Sequence, residues 1–234
     1  MLEMSAERTP RVSARAVILD LDGTLLDTAA DLAAATNLMM IELGREPLPQ
    51  ATVASYIGKG VEILVHRALG GSLDARVDHD LHTRGHDAFM RHYQVENGRH
   101  SRPYDGVVEG VAAMRAKGLR LACVTNKPKS FADPLLAHFG LAQCFELIVG
   151  GDTLPLRKPD PMPMLHVAQR FEVDPLKIVA IGDSLNDALA ARAAGMPVFA
   201  VPYGYNEGRD VRTLDVDAVF DSLLIAADHI DLSD

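Results

Sequence analysis

The apolar run Arg15-Ala16-Val17-Ile18-Leu19 ends in Asp20-Leu21-Asp22-Gly23-Thr24-Leu25-Leu26-Asp27, so a strand brings two acids, two residues apart, to its own end. Side chains at i and i+2 of an extended chain lean to one side, so Asp20 and Asp22 can converge on one reacting atom or metal ion. Gly23 then lets the backbone turn sharply behind them. The same residue types also suit an ordinary strand-terminating turn, and this stretch alone is consistent with either reading.

Three further stretches share the pattern of an apolar run ending in polar groups. Thr125, Asn126 and Lys127 follow Val124, where a hydroxyl and backbone amides could hold a phosphoryl oxygen or simply close a turn. In Arg157-Lys158-Pro159-Asp160-Pro161 the two prolines pre-set a loop and a helix start, which fixes where Lys158 points. A lone lysine is ordinarily a solvated charge, yet an acidic pocket that takes an anion needs such a point charge. Ile178-Val179-Ala180-Ile181-Gly182-Asp183-Ser184-Leu185-Asn186-Asp187 is another strand ending in acids and entering a helix. Ser184 and Asp187 have the spacing of a capping box, and Asp183 can at the same time face Asp20 and complete an oxygen-rich site for a hard divalent cation such as Mg2+.

The elements that position these groups can be read from periodicity. Leu32, Met39, Met40 and Leu43 share one helical face, with Asp31 in the first turn. Val53, Ile57, Val61, Leu64, Val65 and Leu69 continue a helical spacing interrupted at Gly58 and Gly60, and residues 74–93 read as one long polar helix. No strand signal lies between Thr28 and His100. After Pro103 the rhythm changes to strands at 119–124, 145–149, 178–181, 198–201 and 218–220, separated by helix-length segments. Alternating strands and helices imply a doubly wound, mostly parallel sheet of Rossmann-like α/β type, with ligands bound beyond the carboxyl ends of its strands. Residues 1–27 and 101–234 would form that core, and 28–100 an inserted helical block.

All four polar stretches fall at the carboxyl ends of strands in one sheet, and in this combination the chain resembles the haloacid dehalogenase superfamily, over residues from Ala16 to about Phe220. The resemblance implies an α-helical cap domain inserted after the first motif. It implies Asp20 as a nucleophile forming an aspartyl-phosphate and Asp22 as the general acid and base. Thr125 (with Asn126 beside it) and Lys158 would bind the phosphoryl group. Asp20, the backbone carbonyl of Asp22 and Asp183 would hold Mg2+, with Asp187 as an auxiliary ligand or an orienter of Lys158. An acid at position 22 also points to phosphomonoester hydrolysis or phosphomutase chemistry, which must protonate an alkoxide.

Tyr56-Ile57-Gly58-Lys59-Gly60-Val61 and the following Leu64-Val65-His66-Arg67-Ala68-Leu69 resemble the cap of bacterial phosphoglycolate phosphatases, as do the segments 149–152 and 203–206. Gly58 and Lys59 are accordingly candidates to contact a small phosphorylated metabolite, with 2-phosphoglycolate expected. The alternatives are an amino-sugar phosphate phosphatase, a phosphomutase like β-phosphoglucomutase, and a non-catalytic metabolite-binding regulator.

A formal net charge of -9 disfavours a nucleic-acid or anionic-membrane partner and makes a screening cation at any phosphate site a requirement. No stretch approaches the roughly 18 apolar residues of a membrane span. Cys123 and Cys144 lack any C-x-x-C spacing and read as reduced core residues, which suits a cytoplasmic location. In the stretch that carries His79, His82, His86 and His92, the first three have helical i, i+3 and i, i+4 spacing, but Asp78, Asp80, Arg84, Asp87 and Arg91 mark the stretch as a solvated helix rather than a metal site. The first dozen residues read as a loose terminus, and the oligomeric state is left open.

Overall fold

The computed structural model describes residues 11–233. The first segments are β1 (Val12–Ala14), β2 (Ala16–Leu19) and β3 (Leu26–Asp27), followed by helices α1 (Ala29–Glu42), α2 (Gln50–Ala54), α3 (Val61–Gly70) and α4 (His79–Glu96). Alternation then sets in with β4 (Arg102–Pro103), α5 (Val107–Ala116), β5 (Arg120–Val124), α6 (Lys129–His138), β6 (Leu147–Val149) and α7 (Met162–Phe171). The chain closes with β7 (Ile178–Gly182), α8 (Leu185–Ala193), β8 (Val198–Ala200), β9 (Ala218–Val219), α9 (Leu223–Asp228) and β10 (Ile230–Leu232).

Six parallel strands form the central sheet in the order β6-β5-β2-β7-β8-β9. The strands of the middle are apolar on both faces because both faces are covered. One cluster with Leu19, Leu121, Cys123, Val179 and Ile181 lies under α5, α6 and α9, and the other, with Ile18, Ala122, Val124 and Ala180, lies under α7 and α8. β2 pairs with β5 on one side and β7 on the other, with Leu19 opposite both Cys123 and Ile181. The strand order reverses at β2, the place where a doubly wound sheet opens a crevice.

Helices α1 to α4 pack around a separate apolar cluster that includes Leu32, Met39, Leu64, Val65, Phe89 and Tyr93, with Phe131 of α6 reaching into it. The long polar helix starts later than its periodicity predicts, at His79, because the Asp78 carboxylate caps it by accepting from the amides of Asp80 and Leu81. Its His79 is exposed and His82, His86 and His92 are half-buried. His82 and His92 are engaged with the Glu62 carbonyl and the Glu42 carboxylate, and among the described residues no metal-ligating group forms there.

Two features escaped local pattern reading because both are pairings between distant segments. β1 runs parallel to β10, so Val12, placed by the sequence in a loose terminus, is in a strand; residues 1–10 lie outside the described residues. β3 and β4 pair antiparallel, tying together the two chain segments that enter and leave the helical layer. Cys123 is buried in β5 as expected, but Cys144 is only half-buried, since it falls in a short 3-10 turn at the sheet's edge.

Asp31 holds the return segment. Its carboxylate is fully buried and accepts from the amides of Gly98 (2.8 Å), His100 (2.7 Å) and Ser101 (3.1 Å) and from the Ser101 hydroxyl. Asp31→Ala leaves three amides without an acceptor, at about 1–3 kcal/mol for each buried group. A thermal melt of this variant should fall by at least about 5 °C relative to the wild type.

Candidate active site

The parallel register sets the floor of the site. Since Leu19, Cys123 and Ile181 are level, Asp20 follows β2, Thr125 follows β5 beyond Val124, and Asp183 follows β7 beyond Gly182, all at one end of the sheet. The Asp183 carboxylate is held by Thr24 Oγ1 (2.9 Å) and the Tyr205 amide (2.5 Å). It sits between two backbones that must be glycine: a Cβ at Gly23 or Gly204 would lie 2.2 or 2.3 Å from Asp183 Oδ2.

Asp20, Asp183 and Asp187 form a cluster whose ligand oxygens lie within 4.8 Å of one another. Lys158 Nζ stands among them, 2.8 Å from Asp20 Oδ1, 2.6 Å from Asp187 Oδ1 and 2.7 Å from the Val124 carbonyl. Asp187 works on two sides, since its other oxygen accepts from the Ser184 hydroxyl (2.6 Å) and amide (3.2 Å) at the start of α8. The capping box of this segment is therefore formed, and the same carboxylate also reaches Lys158.

Three carboxylates against one ammonium leave an excess of negative charge in a buried place. Burial pushes the Asp20 carboxyl up to about 7, with Lys158 pulling it down and Asp187 adding to the rise. Burial, then Asp187 and Asp20, push Asp183 well above the carboxylate range. Asp20 Oδ1, although close to Lys158, has no partner in hydrogen-bond geometry. A compact set of hard oxygen donors, one of them orphaned and together two charges too negative when ionised, fits a divalent cation.

The Asp22 carboxylate lies outside this cluster. It accepts from Thr28 Oγ1 (2.8 Å) and pairs with Lys127 Nζ at 2.9 and 3.2 Å. Lys127 also donates to the Tyr93 hydroxyl of α4 (2.5 Å). Burial alone would lower the Lys127 pKa, but Asp22 and Tyr93 hold it above the ordinary lysine value, so the ammonium persists. The two acids of the first motif are thus each matched to their own lysine, Asp20 to Lys158 and Asp22 to Lys127.

Asp20, Asp22, Thr125, Asn126 and Lys127 border a cavity of about 30 Å³ roofed by Leu32, Ile57, Val61, Leu64 and Tyr93 of the helical layer and by the backbone of Gly58 and Gly60. One water needs about 10–15 Å³ on this scale, so the space left is small. Asn126 Nδ2 donates to the carbonyls of Gly58 and Lys158, both at 2.9 Å, and Asn186 Nδ2 adds a second bond to Gly58 at 3.2 Å, which pins the roof to the sheet. Lys59 does not border the cavity. Its ammonium is 2.8 Å from Glu207, which also binds Arg67 at 2.6 Å. Burial opposes ionisation of Glu207, but these two cations keep its pKa below the usual glutamate value.

Lys127, Thr24 and Tyr205 stand in stretches the sequence pointed to but received no role of their own there, and Tyr93 received none either. A lysine three residues beyond a buried strand end, in an acidic chain, was the available signal for Lys127. The others act from segments whose proximity only the fold creates.

Comparison with known proteins agrees with this geometry. Residues 14–195 match the family model described as haloacid dehalogenase-like hydrolase. A phosphoglycolate phosphatase of Nitrosospira multiformis is 55% identical over 219 residues, covering 94% of this chain and 96% of that protein. One of Thiobacillus denitrificans is 55% identical over 213 residues, covering 91% and 94%. A crystal structure described as a predicted phosphoglycolate phosphatase from Haemophilus somnus superposes with a TM-score of 0.87 at 31% identity, over 92% of this chain and 97% of that one. With its strand-end acids, its sheet order and these matches, the chain belongs to the haloacid dehalogenase-like hydrolase family.

Proposed function

We propose that this protein is a Mg2+-dependent phosphatase that hydrolyses 2-phosphoglycolate to glycolate and phosphate through an aspartyl-phosphate. The observation that carries the reading is the division of the first motif, with Asp20 in the acid cluster against Lys158 and Asp22 outside it against Lys127, both bordering one small cavity. The 55% identical relatives named phosphoglycolate phosphatase support the substrate. In this reading residues 28–100 are a cap domain on a core of 1–27 and 101–234, with Gly58 as its contact to the site and Lys59 at its edge. A cytoplasmic location accords with two unpaired thiols.

In the first step an Asp20 oxygen attacks phosphorus in line while the leaving glycolate oxygen takes a proton from Asp22. In the second, Asp22 takes a proton from the water that attacks the phospho-Asp20, which releases phosphate and restores both acids. Lys158 and the Thr125 hydroxyl hold the phosphoryl oxygens, the Thr125 amide being taken by the Val149 carbonyl. Asp20, Asp183, the Asp22 carbonyl and, directly or through Lys158, Asp187 would hold Mg2+, which neutralises phosphoryl charge when bound. The roof of apolar side chains keeps other water away.

Comparing kcat/KM for 2-phosphoglycolate, hexose phosphates and an amino-sugar phosphate should give the first a clear preference, and steady phosphate release without a bisphosphate activator separates hydrolysis from mutase chemistry. Asp20→Asn should form no phospho-enzyme. Asp22→Asn should retain Mg2+ binding, its side chain being outside the acid cluster, and lose about 100- to 10,000-fold in turnover. An unchanged rate would remove Asp22 from the proton path. Chelation should abolish phosphate release and added Mg2+ restore it; activity that survives a strong chelator overturns the metal assignment.

A further inference from the structure

We propose that Lys127 and Tyr93 together form the subsite that recognises the carboxylate of the substrate, so that specificity is divided between the strand end after β5 and helix α4. The inference rests on the reading above and deepens it. Among the residues that border the cavity, Lys127 is the one with a positive charge, and the roof opposite is made of Leu32, Ile57, Val61 and Leu64. Once a phosphoryl group has engaged Lys158 at the floor and Asp22 carries the proton it will donate, Lys127 no longer faces a carboxylate of the protein and is the group left to compensate a second negative charge on the leaving arm. An uncompensated carboxylate in such surroundings is strongly disfavoured.

Tyr93 adds the second donor. It is fully buried, its hydroxyl accepts from Lys127, and no acceptor for its own proton is present among the described residues. An O–H next to an ammonium, at the wall of the cavity that also holds Asp22, suits a carboxylate two bonds from the ester oxygen. It offers nothing comparable to a neutral alkyl group and opposes an ammonium. The ring of Tyr93 packs against Phe89 and Phe131, so the hydroxyl is held in place by rigid neighbours from both layers.

Lys127 also holds Asp22, so activity alone does not separate the two roles. The discriminating readout is the ratio of kcat/KM for 2-phosphoglycolate to that for ethyl phosphate, in which a methyl replaces the carboxylate. Any loss that acts through Asp22 affects both esters and cancels. In Lys127→Met the ratio should fall by about 10- to 100-fold, as expected for one buried charge-assisted hydrogen bond, and in Tyr93→Phe by about 3- to 10-fold. A ratio unchanged in both variants, with a wild type that prefers 2-phosphoglycolate, overturns the subsite and leaves the proposed substrate standing. A wild type without that preference overturns the proposed substrate and the subsite together.

Should Lys127→Met alone not fold, Asp22→Asn/Lys127→Met leaves no buried charge unpaired and is compared with Asp22→Asn by calorimetry. The double variant should lose at least about tenfold in affinity for 3-phosphonopropionate relative to propylphosphonate. Equal losses for the two ligands also overturn the subsite.

Discussion

Four carboxylates at one end of a sheet are a severe electrostatic demand, and how that demand is met determines the rest of the structure. Two buried lysines meet part of it, each from the loop after a different strand. What they leave over is concentrated at Asp20, Asp183 and Asp187, where burial drives Asp20 and Asp183 toward protonation unless a cation arrives. The arrangement is therefore polarised. One side has an excess of oxygen ligands and is suited to a metal, and the other, around Asp22, is balanced by a single lysine ammonium. A single sheet edge carries both because successive parallel strands end level, while the turn after β2 sends Asp22 away from Asp20, the acid it follows so closely in sequence.

The same demand explains how the helical layer is attached. A roof over a charged floor must exclude water without adding unpaired polar groups of its own. The structure does this with a mostly apolar underside and with backbone carbonyls, above all that of Gly58, satisfied by the side chains of Asn126 and Asn186. Asp31 and the β3–β4 pairing hold the two chain crossings, and Glu207 adds ion pairs to the partly exposed Lys59 and to the buried Arg67 of α3.

The sequence conveyed the sheet, its order of strands and helices, and the acids at its floor, because each of these has a local signature: an apolar run, a glycine turn, a carboxylate at a strand end. Asp20, Thr125, Lys158, Asp183 and Asp187 were legible for that reason. Lys59 was expected to contact the substrate from the resemblance of its segment to a phosphatase cap, but a nearby cation cannot be distinguished from a site cation without knowing where its long side chain finds an anion, and here that anion is Glu207. The pairing of Lys127 with Tyr93 was illegible in the opposite sense, since it arises from a meeting between residues 34 positions apart. β1 and β10 were missed for the same reason, being strands only by virtue of each other.

Tyr205 binds the protein in two unlike ways. Its main-chain amide donates to Asp183 at the floor, while its hydroxyl donates to Asp27 and accepts from the amides of Thr28 and Ala29, where the chain leaves the sheet for α1. The amide contact is open to every residue type except proline, whereas the hydroxyl contact is open to tyrosine alone. Sequence drift at this position therefore acts on one contact and spares the other, loosening the crossing to the helices while leaving the acid at the floor oriented. Descendants of this fold can in this way vary how firmly the roof is hinged without first giving up the chemistry beneath it.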